Sequence, residues 1–134
     1  MFVVDSSVVV ALFLAEDPGH DASRRWFESI TLAGTQVAAP SLLLPEVAGS
    51  IRRVSGSIDR AMRAARSLVA QDVIRIEPLT NDLAARAAEI AAGVGLRGAD
   101  AVYVAVAALL QFQLVTLDNQ QFERGAAVVD TRRP

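Results

Sequence analysis

Short apolar runs alternate along this chain with longer stretches in which apolar residues recur every three or four positions. Residues 2–5 (FVVD) read as a short buried strand. Val8, Val9 and Val10 favour extended backbone, but Asp5, Ser6 and Ser7 are residues that start helices. A helix over 6–15, ended by Glu-Asp-Pro-Gly, is therefore expected. Residues 21–32 place Trp26, Phe27 and Ile30 on one side of an amphipathic helix. Residues 35–40 form a short strand. Residues 41–54 form a helix with Ser41 as its cap and Pro45 in the first turns, where a missing N–H costs least. Gly56 breaks that helix. The next helix spans 57–71, capped by Ser57, and a strand lies within 72–79. A helix over 80–95 follows, capped by Thr80 or Asn81. Residues 98–112 are apolar on nearly every face, the pattern of a central buried helix. Residues 113–118 are a strand, 119–125 a turn or short helix, and 126–130 a last strand. Strands alternating with helices predict an α/β fold with a parallel sheet. No linker, repeat or low-complexity tract divides the 134 residues, so one domain over 1–134 is expected.

Composition narrows the chemistry. Hydrophobic residues make up 52% of the chain and aromatics only 5%, so the core must be built from Ala, Val, Leu and Ile. There is no cysteine, which removes disulfides, thiolate zinc sites and cysteine nucleophiles, and a reducing cytoplasm is the expected compartment. No secretory signal or membrane-spanning run is expected, since Asp5 interrupts the first apolar stretch. Net charge is −2, which does not mark a bulk nucleic-acid binder. All 13 basic residues are arginine, however, and the arginine fork suits phosphate. A GC-rich coding bias explains the same composition.

Four acids sit at the joints between these elements. Asp5 ends the first strand and Asp118 the fourth. Glu46 lies in the early turns of one helix and Asp100 in the first turn of another. In a parallel α/β sheet, strand ends and following helix starts share one edge, where ligands bind. Each acid alone has a plain structural explanation: a carboxylate near a helix start is favoured by about 0.3–1 kcal/mol, and Asp118 suits an Asx-turn. Together they repel one another unless a cation sits among them. Hard divalent cations take oxygen ligands, and Mg²⁺ keeps several waters.

The stretches VVDSSV, LLLPEVAGSIRR, LRGADAVYVAVA and LVTLDNQQF, in that order from residue 2 to 122, resemble a PIN-domain ribonuclease of the VapC toxin type. The resemblance implies a PIN-like three-layer domain, with a central, mostly parallel sheet flanked by helices. It implies an endoribonuclease that hydrolyses RNA phosphodiester bonds as the toxin of a type II toxin–antitoxin pair. It also implies Mg²⁺ or Mn²⁺, a homodimer, a cognate antitoxin and a higher assembly with it. The metal-binding and catalytic acids it implies fall on Asp5, Glu46, Asp100 and Asp118. Asp5 and Asp100 would bind the metal directly or through water, Asp118 would complete the shell, and Glu46 would orient or deprotonate the attacking water. Ser6 and Thr116 match supporting hydroxyl positions. Asn119 and Gln120 stand where some members carry a further acid, so a single metal in the resting site is expected.

Arg53 and Arg97 are candidate RNA contacts. Arg53 lies two turns beyond Glu46 on nearly the same helix face, and Arg97 precedes Asp100 by three residues. Arg60, Arg63 and Arg66 repeat along the next helix and could extend a phosphate track; the same residues also suit a solvated helix face. His20, in the loop EDPGHD, is expected to be exposed and uninvolved. The Gly93–Gly98 match to G-x-G-x-x-G follows a helix rather than a strand and fails the dinucleotide test. The alternative function is a non-catalytic module of the same fold that binds RNA or a partner protein. Apolar residues on the helices at 21–32 and 41–55 are the expected dimer face.

Overall fold

A computed structural model describes residues 1–70 and 73–134. The chain begins with β1 (Phe2–Val4), α1 (Ser6–Phe13) and α2 (His20–Leu32), followed by β2 (Val37–Pro40), α3 (Leu43–Ser55) and α4 (Ile58–Ala70). It continues through β3 (Ile74–Glu77), α5 (Asn81–Val94), α6 (Gly98–Leu110), β4 (Gln113–Val115), α7 (Asn119–Gly125) and β5 (Thr131–Arg132). The expected helix end at 71 and strand start at 72 lie outside the described residues.

The strands form one sheet in the order β3-β2-β1-β4-β5, and each pairing is parallel. β1 is central: Phe2 pairs with Val37 on one side and with Gln113 on the other. The chain leaves β1 toward β2 and returns on the far side as β4, so the crevice at the carboxyl end of β1 is a topological switch point. Asp5 is the first residue past that end.

The core is aliphatic, as the composition requires. Val3, Val4, Val8, Val9 and Ala11 are fully buried, and every residue of α6 from Ala101 to Ala107 is buried. α6 packs across β1, β2 and β4, which explains why its sequence has no polar face. Among the described residues no single helix is long and apolar enough to cross a membrane.

Several boundaries differ from the sequence pattern. α1 stops at Phe13 rather than at 15. Leu14 is extended, and its carbonyl accepts from Asp17 N–H. Asp17 precedes Pro18, a position that disfavours helix. Ser41 is not the cap of α3; the capping position is Leu42, without a side-chain bond. The Ser41 hydroxyl accepts instead from Leu79 N–H at 3.3 Å, beyond the end of β3. Pro45 is the third residue of α3, and Gly56 ends it with φ 67°, as the pattern predicts. Thr80 caps α5 through its hydroxyl. The last strand is Thr131–Arg132, not 126–130. Val128 and Val129 both donate to Gly125 carbonyl and form a tight turn instead of pairing with β4. Of the apolar residues of 21–32, Trp26 and Ile30 are buried and Phe27 packs on the core, whereas Leu32 is exposed. Leu43, Val47 and Ile51 of α3 are buried too.

Candidate functional site

Asp5, Glu46, Asp100 and Asp118 line one cavity of about 500 Å³ at the carboxyl edge of the sheet. Each is held there by its own local structure. Asp5 caps α1, and its Oδ2 accepts from Ser7 N–H at 3.0 Å, from the Ser7 hydroxyl, and from the Thr116 hydroxyl at 3.2 Å. Asp118 caps α7, its Oδ1 accepting from Gln121 N–H at 2.8 Å. Glu46 and Asp100 project from the first turns of α3 and α6. The capping explanation thus holds for Asp5; Asp118 caps α7 where an Asx-turn was expected, and the four acids line one cavity all the same.

Both oxygens of Asp118 are bonded, but the other three carboxylates are only half occupied by the protein. Among the described residues, no donor reaches Asp5 Oδ1, Asp100 Oδ1 or Glu46 Oε1, whereas the second oxygen of each is bonded. Glu46 Oε2 accepts from the Tyr103 hydroxyl at 2.6 Å. Thr116 joins two acids: its hydroxyl donates to Asp5 and accepts from Asp118 N–H at 3.0 Å. Ser7 does the same between Asp5 and Leu117, whose N–H donates to its hydroxyl at 3.0 Å.

The electrostatics follow from this crowding. Burial pushes the Asp5 carboxyl above its usual range; the Ser7 hydrogen bonds oppose that shift, while the charges of Glu46 and Asp100 add to it. Burial, reinforced by the bond to Glu46, pushes the Tyr103 phenol well up, so it stays a donor. The hydrogen bond to Asp100, and then the charge of Asp100, hold the Arg97 guanidinium above its ordinary value.

Arg97 is the cation of this cavity. Its Nε donates to Asp100 Oδ2 at 2.7 Å and its Nη2 to Asp118 Oδ2 at 3.1 Å. Among the described residues no three acidic or histidine side chains come together closely enough to hold a metal ion as they stand. The donor set nevertheless suits a hard divalent cation that keeps waters between itself and the carboxylates: all hard oxygens, three of them without a donor among the described residues.

The remaining candidates are placed as follows. Ser6 lines the cavity beside Asp5. Arg53 lies outside it, its Nη2 donating to the Ser50 hydroxyl at 2.9 Å, while Ser50 itself lines the cavity wall. His20 sits against Ala11 carbonyl through Nδ1 at 2.8 Å, a local structural contact. Gly95 of the glycine motif is the left-handed end of α5, with φ 72°. Sequence reasoning missed Tyr103, which looks like one more core residue of α6. It also missed Asp17, which lines the cavity but spends Oδ1 on Gly19 N–H, and Arg133, which holds the turn carrying Asp118. No sequence signal pointed to Arg133, because its partners are the Thr116 and Asp118 carbonyls, the Asn119 side-chain oxygen and the Phe122 ring, all met through folding of β5 beside the α7 turn.

The PIN domain family model matches residues 2–128. The chain belongs to the PIN domain family. Its structural neighbours include VapC20 and VapBC complexes. Mycobacterium tuberculosis VapC20, described as a sarcin-ricin loop cleaving toxin, is 25% identical, with full coverage of both chains and a TM-score of 0.80. VapBC2 from Rickettsia felis, bound to a fragment of its promoter, is 13% identical over 98% of this chain and 97% of that one, with a TM-score of 0.74. VapBC from Salmonella typhimurium, bound to DNA, is 15% identical over 98% and 96%, with a TM-score of 0.73. At those identities the last two establish the fold alone. Among curated proteins none matches the chain by sequence.

Proposed function

We propose that this chain is the toxin of a type II toxin–antitoxin pair, an endoribonuclease that hydrolyses RNA phosphodiester bonds with one divalent cation, Mg²⁺ or Mn²⁺, at Asp5, Glu46, Asp100 and Asp118. The observation that carries this reading is that four acids from distant parts of the chain line one cavity, three of them with an oxygen that no donor among the described residues reaches. The RNA-cleaving activity ascribed to VapC20 supports the substrate class. Neighbours that occur as toxin–antitoxin complexes support an antitoxin partner. A homodimer, assembled further with that antitoxin in the cytoplasm, belongs to the same reading.

A bound cation would supply charge neutralisation at the phosphoryl group and a more acidic water. The chain's residues would do the rest. Asp5 and Asp100 offer free oxygens to the cation or its waters. Asp118 offers Oδ2 once Arg97 moves aside. Tyr103 fixes one oxygen of Glu46, so that the other can orient the attacking water or take its proton. Thr116 keeps Asp5 and Asp118 in fixed relation. Arg97, when displaced, is a guanidinium at the cavity mouth suited to a phosphate.

The alternative of a non-catalytic module draws on one observation, that among the described residues no three carboxylates stand close enough to hold a metal ion. Calorimetric titration with Mn²⁺ and Mg²⁺ separates the two. Binding by the wild type that is lost in both Asp5→Asn and Asp100→Asn, with circular dichroism unchanged, supports the nuclease. A wild type that binds no metal and cuts no RNA leaves the binding module.

A further inference from the structure

The arginines that repeat along α4 do not form one track. Arg66 borders an apolar groove with Leu44, Pro45 and Met62. Arg60 and Arg63 border a different groove of about 410 Å³, whose other walls are Phe13, Ile51, Ala64 and Ser67. That groove combines two guanidinium groups with a half-buried aromatic ring and a hydroxyl, the components of a nucleotide subsite: a π-face for a base and cations for the backbone.

Its position ties it to the acid cavity. Both are built on α1 and α3. Val10 of α1 and Ser50 of α3 line the acid cavity, while Phe13 and Ile51 line the groove. Val10 and Phe13 are one helical turn apart, and the length of α1 from Ser6 to Phe13 is about 10 Å. Arg53 donates to the hydroxyl of Ser50 in the cavity wall. The groove cations are available. Among the described residues Arg60 forms no ion pair. Arg63 pairs with Asp59 at 2.8 Å, and both of those side chains are more than two-thirds exposed, so water already weakens that pair.

We propose that the groove of Phe13, Arg60 and Arg63 is a single-stranded RNA subsite flanking the cleavage site. A nucleotide stacks on Phe13 while Arg60 and Arg63 hold neighbouring phosphates, and the strand runs over Ser50 and Val10 to bring the next phosphodiester to the acids. This inference rests on the RNA substrate of the proposed function. It adds where the strand lies and which residues hold it.

The test uses full-length protein carrying Asp5→Asn, so that bound RNA stays intact, and a short, fluorescein-labelled, random-sequence single-stranded RNA. Binding is read by anisotropy over a range of salt. Adding Arg60→Gln and Arg63→Gln together is expected to weaken binding about tenfold and to flatten the slope of log K against log salt by about 1.4, two phosphate contacts at about 0.7 each. Phe13→Leu, with its fold checked by circular dichroism, is expected to weaken binding at least about fivefold with the slope unchanged, the signature of lost stacking. The paired surface control Arg24→Gln with Arg86→Gln leaves both readings as they were. Unchanged affinity and slope in the Arg60/Arg63 double variant, or equal losses in the control, overturn the subsite. Metal titration of the wild type is the separate arm: no metal binding with intact RNA binding in this groove removes the nuclease and keeps the subsite.

Discussion

Arg97 and Asp100 form an ion pair in the wall of the acid cavity of this protein. The guanidinium Nε meets Asp100 Oδ2 at 2.7 Å, and its Nη2 extends the clasp to Asp118 Oδ2 at 3.1 Å. The Arg97 side chain is 67% exposed and that of Asp100 only 12%. An exposed surface cation thus reaches into a buried acidic site. It relieves part of the repulsion among the acids and holds oxygens that a metal ion would need.

Arg97→Gln is accordingly expected to bind Mn²⁺ more tightly, by up to about fivefold. An exposed pair contributes about 0.2–1 kcal/mol, which bounds the gain. The metal-free variant should lose stability by a similar amount. Calorimetry with Mn²⁺ and thermal melts without metal measure the two effects. Weaker metal binding in the variant would mean that Arg97 organises the acids rather than competing for them.

Asp5 carries the opposite kind of cost. Its pKa is raised in the fold, chiefly by burial. A group with a raised folded-state pKa stabilises below its unfolded pKa and loses that contribution as pH rises through the folded value. At neutral pH the buried charge is therefore a burden on the metal-free protein. Asp5→Asn keeps an oxygen that can cap α1 and removes the charge. It should raise stability at pH 7 by about 0.5–2 kcal/mol, the ordinary size of a stabilising substitution. The advantage should shrink as pH falls through the carboxylate range. Urea unfolding of both proteins at several pH values checks this, and a destabilised Asp5→Asn at pH 7 contradicts it.

Tyr103→Phe isolates the donor to Glu46. The ring is buried in α6 and its hydroxyl donates to Glu46 Oε2 at 2.6 Å. Hydrogen bonds to charged groups contribute about 1.5–3 kcal/mol, and Glu46 sits at the cavity, where it can exchange part of that loss for water. Stability should fall by about 1 kcal/mol. If Glu46 positions water, RNA cleavage at saturating metal should fall about tenfold, a loss of 1.4 kcal/mol in the barrier. Single-turnover cleavage and denaturant melts give the two numbers. Unchanged cleavage would release Glu46 from the water-positioning role.

These relationships were unequally legible in the sequence. The parallel α/β order, the buried face of α6 and the placement of the acids at strand and helix joints follow from local pattern, because periodicity and capping chemistry are local. The end of α1 was misjudged by two residues because the Asp17-Pro18 turn outweighs the apolar run before it. The last strand was missed because Ala126–Val129 is apolar yet curls onto Gly125, while polar Thr131–Arg132 pairs with β4. Tyr103 and Glu46, 57 positions apart, meet only through packing of α6 and α3 near the cavity. The arginines of α4 looked like one stripe by spacing, and the neighbouring helices divide them.

Arg133 gives the last prediction. Its Nη1 donates to Thr116 carbonyl at 3.0 Å and, more weakly, to Asp118 carbonyl at 3.4 Å, and its Nη2 donates to Asn119 Oδ1 at 2.5 Å. The guanidinium also lies over the Phe122 ring, 4.4 Å from its centroid. One side chain thus grips both sides of the turn that presents Asp118. Three of these contacts need a planar fork, which an ammonium does not supply. Arg133→Ala should lower stability by about 1–2 kcal/mol through lost hydrogen bonds to backbone. It should also weaken Mn²⁺ binding, because Asp118 is no longer held at the cavity. Arg133→Lys keeps the charge without the fork and should restore only part of the affinity. If Lys restores it fully, Arg133 acts through charge at a distance. If neither variant changes metal binding while both lower stability, Arg133 fastens β5 to the sheet and leaves the placement of Asp118 to its α7 cap.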